Sequence, residues 1–341
     1  MLLGLPATIR GKALEDSKLQ NKSFKDFAIR LLHGSRNYAI ILYFIVLCTI
    51  ITSVSPTFMA QTSLLNNLRT ASYYGIICMG MTLVFISGGL DLSVGSVVGF
   101  SSLITALALV NGVPVPLSIV MGLIVGAVVG LVNGFCIIKL RIPAMIVTLG
   151  MLFVVRGFIH VITEGHPVYP LPDAFNLIAT ATFLGINISI VVLIIMTAIV
   201  QFILRKTTFG RSIYAIGGNR ETARLSGIRV DRISMSVYVI SGLCASIAGI
   251  FIASRISSAQ VTTGSSWEMD VIAATIIGGT SLFGGVGTAI GAFFGALFMT
   301  FLKAGIVSMR LSAYWQNVVI GIILIATVGI DQYQRRKQAK S

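Results

Sequence analysis

Long apolar runs punctuate this chain from end to end: 38–54, 72–88, 93–111, 116–138, 143–163, 183–204, 233–254, 286–308 and 312–330, with a shorter run at 270–283. An α-helix needs about 20 such residues to cross the hydrocarbon core of a bilayer. Inside lipid every backbone N–H and C=O must find a partner within the protein, so runs of this kind become helices. The expected fold class is an all-α polytopic membrane protein with about ten transmembrane helices. Only 11% of the residues are charged, against roughly 25% in a soluble domain.

Charge sets the topology. With the N-terminus inside, ten spans place 1–37, 139–142, 205–232 and 331–341 in the cytoplasm. These segments hold 20 of the 25 Lys and Arg, the bias of the positive-inside rule. Leaving out 270–283 would carry the basic C-terminus across the membrane. The expected layout is a cytoplasmic arm (1–37), a transmembrane domain (38–330) with a cytoplasmic loop at 205–232, and a cytoplasmic basic tail (331–341). No apolar signal-like segment precedes the first span. The net charge of +14 does not speak for nucleic acid, because the basic residues sit at the ends of apolar runs rather than on a polar surface. Cys48, Cys78, Cys136 and Cys244 lie within apolar runs, without Cys-x-x-Cys spacing, and read as packing residues.

Glycines recur every four residues in span four (Gly122, Gly126, Gly130, Gly134) and span nine (Gly287, Gly291, Gly295). That spacing clears one helix face for close approach of another helix. Spans four and nine cross in opposite senses, so the pattern predicts two five-helix halves related by an inverted repeat.

Between spans two and three the chain reads SGGLDLSVGS (Ser87–Ser96). Gly88 and Gly89 allow a reversal. Asp91 and Ser93 are expected to cap the N–H groups that open span three, at the cytoplasmic end. A similar glycine-rich break recurs at Gly278, Gly279, Gly284 and Gly285. Both breaks are candidate hinges or inner-gate elements.

The loop Arg205–Arg232 is too long for a plain connection and too short for a domain. GGN at Gly217–Asn219 turns the chain. Glu221–Ser226 then reads as a short helix, with Asn219 as N-cap and Gly227 as its stop. It suits docking to a soluble partner, or it is an ordinary solvated loop.

Three segments, GGLDLSVGS (88–96), GRSIYAIGGNRETARLSGI (210–228) and DVIAATIIGGTSLFGGVGTAIGA (270–292), together resemble the ribose-type permeases of sugar ABC importers. The similarity runs from about residue 60 to 330, with the motifs in the family's order. The resemblance implies ten-span subunits paired as a homodimer or with a close paralogue, ATP-binding subunits at the cytoplasmic face, and an extracytoplasmic sugar-binding protein. Gly210, Arg211, Tyr214, Gly217, Gly218, Asn219, Glu221, Ala223, Leu225 and Gly227 fall on the implied ATPase-coupling loop. Thr222 replaces the middle alanine of the general importer pattern. The chain lacks a phosphate-binding Gly-x-x-x-x-Gly-Lys-Ser/Thr loop, so ATP and magnesium belong to the partner and no cofactor is expected here. The expected function is a permease subunit, not itself an enzyme, that moves a monosaccharide or small polyol across the bacterial inner membrane by alternating access.

Other candidate residues carry two readings. Arg156 and His160 are four apart and share a helix face. They either line the translocation path, or Arg156 holds backbone carbonyls or reaches the interface. Asn133, Gln316 and Asn317 either line the path or hydrogen-bond between helices. Trp267, Glu268 and Asp270 either contact the binding protein or serve as an aromatic anchor and helix-start carboxylates. Lys303 is expected to reach the interface. The rival class is a gradient-driven secondary transporter, which usually needs a carboxylate or ion site within the membrane. Every acidic residue is expected in a loop or near a span end, which counts against it. An intramembrane protease lacks its motif, and a passive channel would have no use for the docking loop.

Overall fold

A computed structural model describes residues 36–338. Most of the N-terminal arm and the end of the basic tail lie outside the described residues. The chain is all-α and polytopic. The helices are α1 (Arg36–Val54), α2 (Gln61–Ile86), α3 (Val94–Val110), α4 (Val115–Ile138), α5 (Ala144–Thr163), α6 (Asp173–Thr180), α7 (Ile188–Lys206), α8 (Thr208–Gly218), α9 (Arg220–Leu225), α10 (Val230–Ile256), α11 (Trp267–Ile277), α12 (Ala289–Ser308) and α13 (Trp315–Gln338). A hairpin of two-residue strands, β1 (Thr182–Phe183) and β2 (Ile186–Asn187), precedes α7.

Among the described residues, six helices are long and apolar enough to cross a membrane: α2, α4, α5, α7, α10 and α12. Shorter apolar helices lie at Ile40–Val54, Val94–Val110 and Trp315–Gly329. The run 270–283 does not form a full span. Helix α11 has 11 residues, about 16 Å of rise, roughly half the hydrocarbon core. It stops where Gly278 and Gly279 begin, and the chain returns through 278–288 into α12. Two further helical elements lie outside the apolar runs: α6 between the runs 143–163 and 183–204, and α8 across Gly210 to Gly218.

Helix α2 is the axis of the bundle. Its second half is almost wholly buried, from Tyr73 through Met79 and Met81 to Ile86. The glycine stripes do what their spacing predicts. A Cβ on Gly126 of α4 would overlap the Gly242 carbonyl of α10, and one on Gly242 would overlap Gly126. On α12, Gly291 meets Gly278 and Gly295 meets Ala274 in the same backbone-to-backbone manner. The helix pairings also exchange between halves: α3 with α4 matches α11 with α12, α4 with α10 matches α12 with α2, and α2 with α11 matches α10 with α3. This is the pattern an inverted repeat of spans two to four on seven to nine requires.

At the end carrying α8 and α9, the last turn of α4 meets the first turn of α10. Lys139, Arg220 and Arg224 gather around Asp231 at 3.6, 3.9 and 3.6 Å. These side chains are largely exposed, so the cluster contributes little stability. It does mark the basic end of the bundle. The long lipid-compatible face of α5, with Phe153, Phe158 and Val161 exposed, runs up the outside.

Candidate functional site

The loop 205–232 folds into two short helices pressed against the bundle. Thr207 caps α8 by accepting from the Gly210 N–H at 3.1 Å. Gly210 lies so close to α7 that a Cβ would overlap the Ile203 carbonyl, so α8 turns back along α7 rather than leaving it. Ile213 and Ile216 are buried beneath it. The Tyr214 hydroxyl donates to the Gly287 carbonyl at 2.6 Å. Burial pushes the Tyr214 phenol above its ordinary pKa, with Arg205 pulling it back, so it stays a neutral donor. Asn219 is extended and accepts from the Thr222 N–H at 2.9 Å, the N-cap expected of α9. Gly227 follows α9 at φ +80°. Ala223 packs inward with Ile216 and Val230. Arg211 and Glu221 are exposed, as is Leu225, 81% exposed despite being apolar.

The far end of α8 reaches both helix breaks. The Gly285 N–H donates to the carbonyl of Ile86, the last residue of α2, at 2.9 Å. Gly217 lies beside this bond. A Cβ there would overlap the Ile86 oxygen and stand 2.6 Å from the Gly285 nitrogen. A Cβ on Gly284 would stand 3.0 Å from the Cα atoms of both Gly217 and Gly88. Gly88, Gly279, Gly284 and Gly285 all have positive φ, between +76° and +89°, a conformation that favours glycine. Three stretches of bare backbone therefore meet: the end of α8, the break after α2 and the break before α12. A Cβ on Gly218 would meet nothing within 4 Å.

Asp91 takes the first N–H of span three, as expected, but the Ser93 cap and the position of Asp91 require a correction. Its Oδ1 accepts from the Ser93 N–H at 3.0 Å and the Ser93 hydroxyl at 2.6 Å, and its Oδ2 accepts from Ser241 at 2.9 Å. The Asn133 amide donates to Ser93 Oγ at 2.9 Å. Ser93 makes no capping bond to α3. Ser241 lies 11 residues beyond Val230 on α10, about 16 Å along the helix. Asp91 thus sits inside the bundle, 1% exposed, tying the first break to α10 and α4. The reason is that α2 ends short of the basic end, and the glycine reversal happens within protein. Without an acceptor there, three donors face each other unsatisfied. Asp91→Ala should cost about 2 kcal/mol, read as a lower unfolding temperature of the purified protein in detergent, with solute preference unchanged. Unaltered stability together with altered preference would make Asp91 a ligand instead.

The other expected residues divide. Arg156 donates to the carbonyls of Val261 (3.1 Å), Thr263 (2.9 Å) and Gly95 (3.5 Å). It stitches the 257–266 loop to the start of α3, which is the carbonyl-holding reading. His160 and Asn317 are exposed and do not converge with Asn133. Gln316 donates to the Lys303 carbonyl at 3.3 Å. Trp267 and Glu268 are half-buried, and Asp270 is buried. Trp267 packs at a tilt against Tyr74, with ring centroids 4.5 Å apart. Glu268 lies against Gly95. Lys303 does not reach the interface: its Nζ donates to Asp270 Oδ2 at 2.7 Å and lies 5.5 Å over the Tyr74 ring. Desolvation favours that pairing, since opposite charges on adjacent helices cancel more fully than either would alone. Charge carries a signal here: spans eight and nine hold oppositely charged residues in their apolar stretches. Nothing in the sequence pattern marks Tyr74.

An all-α bundle with an inverted repeat, broken helices and a two-helix arm on one face defines a membrane transport subunit. The family described as the permease component of branched-chain amino acid transport systems matches residues 63–328, and the chain belongs to it. It is 39% identical over 296 residues to the ribose import permease protein RbsC of Bacillus subtilis, covering 86% of this chain and 91% of that one. It is 38% identical to RbsC of Escherichia coli K12, covering 84% and 91%. It is 33% identical to the autoinducer 2 import system permease protein LsrC of Photorhabdus luminescens, covering 89% and 92%. No solved structure matches the chain.

Proposed function

We propose that this chain is the membrane-spanning subunit of a binding-protein-dependent ABC importer. It carries a monosaccharide or related small polyol across the bacterial inner membrane, with both termini in the cytoplasm. The observation that carries this reading is the seating of Gly217 against both helix breaks. A partner ATPase gripping the exposed side of the arm, at Arg211, Glu221 and Leu225, moves α8. That movement acts directly on the Ile86–Gly285 contact and hence on both breaks. A second permease copy or close paralogue completes the translocation path. ATP and magnesium bind to the ATPase, and an extracytoplasmic binding protein supplies affinity for the sugar. The chain's own site can therefore be weak and transient.

Support for the sugar class comes from the ribose and autoinducer 2 permeases that resemble the chain over most of its length. The interior carboxylates remove one argument against a gradient-driven carrier. However, Asp270 is held by Lys303 and Asp91 by three hydrogen bonds, so neither is a free proton or sodium site. The test is co-reconstitution with its cognate ATPase and binding protein, in vesicles. Uptake of labelled ribose, xylose or galactose should require ATP and the binding protein. Uptake by the chain alone, driven by a proton or sodium gradient, would replace this reading with the secondary-transporter one.

A further inference from the structure

A cavity of about 550 Å³ opens at the end of the bundle opposite the α8–α9 arm, between α2, α12 and α13. We propose that it is a weak binding site for a neutral, polyhydroxylated ligand of monosaccharide size. The proposal rests on the reading of the chain as a sugar permease and locates a site for that sugar.

The position comes first. Asn66 and Asn67 stand in the first two turns of α2, and Tyr74 lies 13 residues past the start of that helix, about 20 Å along it. Thr300 lies eight residues before the end of α12, about 12 Å along. The cavity thus runs from the open end well into the depth that lipid surrounds. Polar side chains at such depth face protein, water or solute rather than hydrocarbon.

The chemistry comes second. Amides (Asn66, Asn67, Gln316), a hydroxyl (Thr300), a phenol ring (Tyr74) and an ammonium (Lys303) share one wall system. The side chains of Asn66 and Asn67 have no hydrogen-bond partner among the described residues, so both keep a donor group and an acceptor for a ligand. Thr300 donates to the Ala296 carbonyl and keeps acceptor capacity. Gln316 uses its amide N–H on Lys303 and keeps its oxygen. Lys303 has three N–H groups and gives one to Asp270. The ion pair makes this end of the cavity neutral overall. An anion meets Asp270 behind the ammonium, and a cation meets the ammonium itself. An apolar ligand would strip water from these five polar groups without replacing their bonds. A compound rich in hydroxyls supplies donors and acceptors together. The volume lies within the roughly 300–1,000 Å³ of small-molecule sites.

Tyr74 also offers a readout. It packs against Trp267, one of two tryptophans in the chain. Full-length protein carrying Trp315→Phe keeps Trp267 as its single indole. Titration of this protein in lipid nanodiscs with D-ribose, D-xylose or D-galactose should change Trp267 emission saturably with at least one of them. Ribose 5-phosphate should bind about ten-fold more weakly or worse. Asn67→Leu combined with Gln316→Leu should weaken the sugar response by about ten-fold or more while leaving the unfolding temperature near that of the parent. If none of the three sugars perturbs Trp267, yet the reconstituted importer takes one of them up with ATP, the cavity assignment is wrong and the function stands. If ribose 5-phosphate binds as well as ribose, the neutral-ligand assignment is wrong. If the importer takes up none of the sugars, the sugar-import reading falls, and this site falls with it.

Discussion

Gly217→Ala should abolish ATP-driven uptake, while Gly218→Ala one residue later should leave it intact. The methyl group at 217 has no room: it overlaps the Ile86 oxygen and sits 2.6 Å from the Gly285 nitrogen. Both neighbours are backbone and cannot rotate aside. The end of α8 must back away from the two breaks, and the Gly285 to Ile86 hydrogen bond must stretch or break. At 218 a methyl group meets nothing within 4 Å. The two variants therefore share a chemical change and a helix end, and differ only in contact with the breaks. Uptake by reconstituted vesicles should fall by about ten-fold or more for Gly217→Ala, a coupling loss of at least about 1.4 kcal/mol. ATP hydrolysis by the partner should persist, because the exposed face of the arm is unchanged. Wild-type uptake in Gly217→Ala would show that α8 does not act through the breaks. Equal loss in both variants would mean that helicity of the arm, rather than this contact, is what transport needs.

Lys303→Met should be among the most destabilising single changes in the transmembrane domain. Asp270 is only 8% exposed and Lys303 25%, and their 2.7 Å contact is the sole ion pair of Asp270 among the described residues. Removing the ammonium leaves a carboxylate in a low-dielectric bundle with no counter-charge, which costs about 3–5 kcal/mol. Removing both charges does not leave that orphan. Asp270→Asn with Lys303→Met should recover most of the loss, since replacing a buried pair as a unit is often nearly neutral. Thermal unfolding in detergent, followed by helical circular dichroism, measures both. A double variant no more stable than Lys303→Met would show that packing of the lysine stem over Tyr74, not its charge, is what matters.

Much of the architecture is legible from single residues. The apolar runs locate the spans because lipid leaves the backbone no alternative to helix. Gly126 and Gly291 announce their close contacts because small residues every fourth position serve few other ends. Asn219 and Gly227 frame α9 because capping is local chemistry between neighbours in sequence. The candidate site is legible in part. The arm residues and the two breaks are visible as motifs, yet nothing in the chain's order says that Gly217, Ile86 and Gly285 touch. Their separations in sequence exceed any local rule. The same holds for Arg156: spacing puts it on a face with His160, but only the approach of the 257–266 loop and of the start of α3 supplies the carbonyls of Val261, Thr263 and Gly95 that occupy it.

Asp91 shows where the boundary falls. The glycines beside it and its place between apolar runs determine that the chain turns there and that a carboxylate stands at the turn. That follows from backbone sterics and hydropathy, which act over a few residues. Whether the turn lies at the membrane surface or within the bundle depends on how far α2 extends past its neighbours. That is set by the packing of α2 against α10 and α12. The tertiary structure alone therefore decided that Asp91 is an interior anchor, that Asp270 faces Lys303, and that the end of α8 rests on both breaks. In each case the deciding partner comes from a distant part of the chain, and shape complementarity among helices, not local propensity, brings it into contact.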